Sequence, residues 1–396
     1  MATAYHRRPY IYTDDTYSMA VVKLGSGSNL LGYYMYHGGT NPEGKLHTLN
    51  ECQTSPGTAN NDLPVCTYDF QAPLGEFGQT YPQYYMLRPL HLFMQDYGEL
   101  LAPMEASFPA PQDLKKGDDS QLRWAVRSKD NCAFIFVNNY ERLQNLSAKK
   151  DVLLSACGVD FPRLTIPAGT MAIFPVNIDG IQYATAQLVA KRDGKIYLMQ
   201  VKGIPTTIAL QSGKTLKNVK PKGEAAPVYN NIYLLTQQDA EHLGLSLPPS
   251  KEKRNLEVTC TKVKEAGSLR TVQKGKAKVA EAPTEEDWQQ AAVYKVSLPS
   301  PSTSPFSPWR GVGGEAFLLS ISYYGDCARL YAGGKLIADN FQYGRPFLYG
   351  LWRLPKDVTE LELHILPLQK DVPVYLPREA DKTLGEGVKN IQIIGK

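Results

Sequence analysis

The first regular pattern in the chain is helical. Tyr17, Ala20, Val21 and Leu24 fall at i, i+3, i+4 and i+7, one face of an amphipathic helix. Thr13 can cap that helix, Asp14 and Asp15 favour its first turn, and Gly25 and Gly27 stop it. Asn29 to Tyr36 follows, and its apolar run, Leu30 to Met35, reads as a buried strand. Helix, short Gly-rich link and apolar strand in that order is αβ wiring, which predicts a parallel sheet. The run stops at Gly38-Gly39-Thr40-Asn41, which suits a sharp turn at an approachable surface. From His37 to Thr80 periodicity is slight, with Pro42, Gly44, Pro56, Gly57, Pro64 and Pro73 spread through it. Compact domains keep a loop of that length mainly for function. A second helix is predicted over Tyr81 to Gly98, with Tyr84, Leu87, His91 and Met94 on one face and Pro82 in the first turn.

From about Pro103 the period changes from helix to strand. Leu122 to Val126 alternates, Ala133 to Val137 is continuously apolar, and Leu164, Ile166 and Ile173 sit in further short strands. Ile196 to Val201 and Thr206 to Leu210 repeat the theme, as β-sandwich modules do. Between 105 and 280 only Gln237 to Leu243 suggests a helix. Lys251 to Arg254 and Lys262 to Lys278 are basic and read as a solvated strand face or linker. Ser297 to Pro308 reads as an irregular Ser/Pro-rich loop. Ala316 to Tyr323 is a strand, and Gly333-Gly334 between Arg329–Tyr331 and Lys335–Ile337 is a hairpin signal. Leu361, Leu363 and Ile365 alternate with Glu362 and His364.

Composition narrows the class. The 396 residues are 43% hydrophobic and 21% charged, which is ordinary globular material with room for two to four domains. Twenty-four Tyr, 28 Pro and 32 Gly favour strands and turns. A net charge of +4 makes no case for nucleic acid or an anionic membrane. No run approaches the ~18 apolar residues of a bilayer span, and Met1 to Asp15 has no apolar signal core. A start at Met1 implies a cytoplasmic product; an internal Met1 carries no such implication. The six cysteines show no Cys-x-x-Cys pair. Cys52 and Cys66 share one loop and bridge only in an oxidising compartment; unpaired apolar thiols are the simpler reading. A metal site from His37, His47, Cys52 and Cys66 is set aside on its irregular spacing, and no cofactor is expected.

Two motifs make the chain recognisable. Tyr34-Met35-Tyr36-His37-Gly38-Gly39-Thr40-Asn41 and Thr67-Tyr68-Asp69-Phe70-Gln71-Ala72-Pro73-Leu74-Gly75-Glu76-Phe77-Gly78 resemble the end of the catalytic barrel of glycoside hydrolase family 35, the β-galactosidases. The resemblance is sharpest over 5–104. It returns at Tyr324-Gly325-Asp326-Cys327-Ala328-Arg329-Leu330-Tyr331, which looks like the jelly-roll modules that follow the barrel. It implies an α/β remnant, the last βα unit of a TIM barrel, followed by all-β sandwich and jelly-roll domains. The divisions expected are 1–104 for the barrel end, 105–180 for a small β domain, 181–280 for a β-sandwich and 281–396 for a galactose-binding-like jelly roll.

By the same resemblance the partner is a β-galactoside oligo- or polysaccharide, and Tyr34, Asn41, Tyr68 and Phe70 are the substrate-binding positions. Phe70 stands where the family usually offers a tyrosine hydroxyl, and Gln71 where it has an aspartate. Retaining hydrolysis needs two carboxylates about 5.5 Å apart. The family's two glutamates belong to strands that would precede Thr13, so no catalytic residue is expected in this chain. Glu43, Glu51 and Glu76 lie in the site-forming loops, with Glu76 read as a loop anchor. His37 is read as a rim residue and Trp124 as core; of the four tryptophans that could stack on sugar (Trp124, Trp288, Trp309 and Trp352), Trp309, after a Pro-rich loop, is the one best placed for exposure. A third of a barrel cannot close its sheet, so 1–104 is expected to pack poorly or to self-associate through an exposed edge. The alternative is a non-catalytic carbohydrate-binding or structural β-sandwich protein.

Overall fold

The computed structural model describes residues 4–42, 64–109, 115–245, 256–275, 278–299, 316–355 and 357–395. Glu43, His47, Glu51, Cys52, the Lys251–Arg254 run, Trp309 and most of the Ser/Pro-rich loop lie outside the described residues, and with them the Cys52–Cys66 bridge and the four-residue metal arrangement. The chain is rich in β-sheet and divides into two compact units. One takes in 1–10, 34–79 and 248–396; the other takes in 11–33 and 80–247.

The unit over 11–33 and 80–247 begins with helix α1, Thr13–Gly25. Tyr17, Ala20, Val21 and Leu24 are all buried, as their spacing predicts. Asp15 accepts from the Tyr12 N–H at 3.1 Å and pairs with Arg142 at 2.9 Å, tying the first turn down. A Cβ at Gly25 would come within 2.8 Å of the Phe136 Cβ, so glycine there lets helix and sheet meet closely. Helix α2, Pro82–Leu101, buries Gln83, Leu87, Leu90, Phe93, Tyr97 and Leu101. Of the expected face Leu87 is buried, while Tyr84, His91 and Met94 are half-buried at the margin of the stripe, and the helix runs past Gly98. A mid-helix glycine costs about 1 kcal/mol. Burial of Leu101 beyond it outweighs that cost.

Both helices belong to a unit whose main sheet has seven strands in the order 215–216, 208–210, 181–184, 171–178, 132–138, 123–129, 105–107, all antiparallel. The division expected at 180/181 falls in the turn of the 171–178/181–184 hairpin, so one sheet crosses it. Phe93 of α2 meets Phe134 of the sheet edge-to-face at 5.0 Å. A smaller sheet joins 186–192, 195–200 and 232–235, the last two in parallel. Helix α3, Gln237–His242, follows with Thr236 as its cap, the one helix between 105 and 280 among the described residues. Arg127, about 1% exposed, closes the ends of both long helices. It donates to the carbonyls of Leu24, Leu101 and Met104 and to the Asn29 side chain at 2.8–3.0 Å.

Two expectations are corrected here. Packing of α1 and α2 is close, not poor. And no strand forms over 29–36: Leu30 is 88% exposed and Tyr34 69%. A strand buried on both faces needs ladder partners on both sides. Among the described residues this run joins no sheet, and its end, Tyr36, accepts the Leu74 N–H at 2.9 Å, so its composition is that of a buried strand while its conformation is irregular.

The other unit is a two-sheet sandwich. Five strands run in the order 259–264, 292–297, 360–366, 327–332, 335–341, and three in the order 347–350, 317–324, 387–395. Its core takes Tyr294, Val296, Leu330, Leu361, Leu363 and Ile365 from the first sheet and Phe317, Leu319, Ile321, Phe347 and Tyr349 from the second. The hairpin at Gly333-Gly334 forms as predicted, with both glycines at positive φ (54° and 76°). Strand 259–264 is a solvated edge, as the basic run suggests. The segment 4–10 is anchored by a buried ion pair, Arg8 Nη2 to Asp326 Oδ1 at 2.6 Å, and Tyr5 donates its hydroxyl to the other Asp326 oxygen at 2.7 Å.

Candidate functional site

The two motifs come together in the sandwich-bearing unit. Gly39–Thr40 and Thr67–Tyr68 form an antiparallel pair, with Gly39 opposite Tyr68 and Thr40 opposite Thr67. Hydrogen bonds extend the pairing on both sides: Asn41 N to Cys66 O at 2.8 Å, Gly38 N to Leu74 O at 2.7 Å, and Leu74 N to Tyr36 O at 2.9 Å. Gly38 is needed for this close approach. A Cβ there would stand 2.8 Å from Glu76 N and 2.9 Å from the Asp69 Cα. Gly39 faces open space, so the two glycines have different roles.

On this pair three aromatic rings converge. Phe70 meets Tyr68 edge-on at 4.5 Å and Tyr34 at 6.0 Å, and the Tyr34 and Tyr68 hydroxyls hydrogen-bond each other. Tyr34 is exposed, while Tyr68 and Phe70 are half-buried. Phe70 and Gln71 hold their place at positive φ, 49° and 55°. Such geometry costs a non-glycine residue about 1–3 kcal/mol and persists only when neighbours enforce it. Asp69 Oδ1 accepts the Gln71 N–H at 2.9 Å, and Gln71 donates its side-chain amide to Pro9 O at 2.6 Å. Gln71 is therefore a backbone anchor.

The nearby carboxylates are committed to structure. Asp69 Oδ2 accepts the Glu76 N–H at 2.7 Å. Burial pushes its carboxyl above the usual range, against the pull of the Glu76 and Gln71 N–H groups and the Arg345 and His37 charges. Glu76 accepts from the Thr40 hydroxyl and pairs with Arg353 at 3.2 Å. Burial raises its pKa to about 7, the hydroxyls of Thr40 and Thr67 and the Arg353 charge opposing that rise. Glu76 thus anchors the loop.

Of the expected contacts, Tyr34, Tyr68 and Phe70 are brought together. Asn41 is placed differently: its side-chain amide donates to Val65 O at 3.0 Å and braces the loop. His37 is exposed beside the turn, its Nδ1 against the Gly38 carbonyl. Trp124 is half-buried against the core of the other unit. Asp69, Thr40, Asp339 and Arg353 shape this site without having been singled out. Asp69 had a local signal, a carboxylate two residues before a residue held in the left-handed region. Asp339 and Arg353 had none, being more than 270 residues distant from the loop they hold.

No family profile matches the sequence. Among solved structures, a rhamnosidase from Novosphingobium sp. PP1Y is similar at 10% identity and a TM-score of 0.23, over 78% of this chain and 26% of that one. A GH31 alpha-xylosidase from Xanthomonas citri is similar at 12% identity and a TM-score of 0.12, over 74% of this chain and 37% of that one. Both neighbours are glycoside hydrolases, and this chain spans well under half the length of either. Likeness at these scores carries no argument about fold or activity here.

Proposed function

We propose that the face built from 34–41 and 64–79 binds terminal β-galactosyl residues, and that the chain is related to the β-galactosidases of glycoside hydrolase family 35. The observation that carries this reading is the aromatic trio. Tyr34 and Phe70 offer ring faces and edges to the apolar side of a sugar, and the paired Tyr34 and Tyr68 hydroxyls offer hydrogen bonds to its polar side. These are positions the family motifs mark, and they converge although 34 residues separate Tyr34 from Tyr68. In this reading α1 and the exposed run from Leu30 belong to the last βα unit of a TIM barrel, the sandwich is the jelly-roll module that follows, and self-association proceeds through an exposed edge of the incomplete barrel.

The chain binds without turnover. No position in the sequence matches either glutamate of the retaining mechanism. Asp69 has both oxygens occupied by backbone N–H groups and Glu76 is held by Thr40 and Arg353, an arrangement that favours the non-catalytic form of the reading. Titration with methyl β-galactoside and lactose, alongside a chromogenic galactoside assay, tests it. Saturable binding that Tyr34→Ala and Phe70→Ala abolish, with no hydrolysis, is the expected result. Hydrolysis above the buffer rate would sink the non-catalytic form. Absence of saturable binding would sink the carbohydrate reading itself.

A further inference from the structure

We propose that Asp339 and Arg353, two residues of the C-terminal sandwich, are positioning residues that hold the aromatic face in its binding-competent geometry. The inference rests on the carbohydrate reading above for its ligand, and on the geometry of a single compact unit for its mechanism.

Asp339 lies on strand 335–341 and is about 1% exposed. Its carboxylate accepts the N–H of Val65 at 2.5 Å and of Cys66 at 2.8 Å. Those two residues lead straight into Thr67–Tyr68, the strand that carries one ring of the trio, and the Cys66 carbonyl in turn accepts the Asn41 N–H. A buried carboxylate bonded to two successive backbone amides fixes the position of that strand. It also explains why an acid is tolerated there: burial raises the carboxyl, and the Val65 and Cys66 amides and the Arg329 charge oppose the rise.

Arg353 acts on Thr40 and Glu76. Its guanidinium lies 4.7 Å over the Phe77 ring and donates to the Thr40 hydroxyl and to Glu76. Phe77 is itself seated in the sandwich core, edge-on to Tyr349 at 5.7 Å and to Trp352 at 6.1 Å. A Cβ at Gly350 would come within 2.8 Å of the Phe77 ring, so the sequence leaves room for it there. Thr40 and Glu76 belong to the two motif segments that the Gly38 turn brings together, and one guanidinium bridges them. The face is therefore gripped from both strands by a module nearly 300 residues downstream, and the sandwich serves as a mould for the site.

The test uses the full chain with three variants. Arg353→Met keeps the apolar stem over Phe77 and removes the donors; Arg353→Lys restores a charge that reaches Glu76; Asp339→Asn keeps size and one acceptor. The readouts are the affinity for methyl β-galactoside, amide hydrogen exchange at Gly38, Asn41 and Leu74, and the thermal midpoint. Arg353→Met is expected to weaken binding about tenfold and to speed exchange at those three amides about tenfold, with the midpoint changed little because the side chain is about a third exposed. Arg353→Lys recovers most of both losses. Unchanged affinity and unchanged exchange in Arg353→Met would overturn the proposal. So would faster exchange spread evenly over the sandwich, which marks general loosening. If the unmodified chain binds no galactoside but exchange at the three amides still responds to Arg353→Met, the positioning role stands and the carbohydrate reading falls. Asp339→Asn decides the same question from the other strand.

Discussion

Replacing Arg8 by Met tests how the sandwich holds the segment before α1. Arg8 is fully buried. Its guanidinium donates to Asp326 Oδ1 at 2.6 Å, to the Asp326 carbonyl at 2.9 Å and, through Nε, to the Tyr5 carbonyl at 2.8 Å. It also lies 4.8 Å from the Tyr5 ring centre and 5.1 Å from that of Phe341. Methionine fills much of the stem volume but leaves the Asp326 carboxylate, 7% exposed, with the Tyr5 hydroxyl as its remaining donor among these contacts. Removing one partner of a buried pair costs about 3–5 kcal/mol because the other charge stays buried and uncompensated. In a unit of roughly 200 residues each kcal/mol moves the midpoint by about 2–4 °C. Calorimetry should therefore show the transition of the sandwich-bearing unit fall by about 6–20 °C, with the transition of the helix-bearing unit unmoved. The double variant Arg8→Met/Asp326→Asn should recover part of the loss, since no charge is then left behind. A fall of under about 2 °C in the single variant, or no recovery in the double, would refute the reasoning.

Two further outcomes follow from buried polar groups. Arg127→Met strips a shared donor from the carbonyls of Leu24, Leu101 and Met104, and at about 1–3 kcal/mol for each orphaned group it should unfold the helix-bearing unit at far lower temperature while sparing the other transition in calorimetry. Glu76, with its folded pKa raised to about 7 from an ordinary 4.5, binds its proton more tightly folded than unfolded, so its contribution is fully present below pH 4.5 and is lost as pH rises through 7. Midpoints of the sandwich-bearing unit measured at pH 5.5 and 8.5 should differ less in Glu76→Gln than in the parent chain; an identical difference in the two would contradict this.

Local patterns were legible where local physics decides. The face of α1, the strands at 132–138 and 360–366, the Gly333-Gly334 hairpin and the short helix from Gln237 all follow from spacing and turn residues, whereas Thr13, read as the cap of α1, lies inside it with Tyr12 at the cap. Leu30 to Met35 misled because an apolar run states what a segment prefers to bury, and burial needs partners the pattern does not supply. The stripe on α2 was misjudged because Tyr84, His91 and Met94 are amphipathic enough to sit at its margin, while Gln83 is buried with its side-chain amide on the Ile11 carbonyl. At the site, the two motifs announced that Tyr34, Tyr68 and Phe70 belong together. The carboxylate of Asp339 and the guanidinium of Arg353, which hold that arrangement, come from a distant module through tertiary packing that no local spacing encodes.

The most direct measurement is isothermal titration of the full chain with methyl β-galactoside, repeated on Tyr34→Ala and Phe70→Ala. The account predicts saturable binding by the parent chain that both substitutions abolish while the thermal midpoints hold. Binding that survives both substitutions, or no binding by the parent chain, would contradict it.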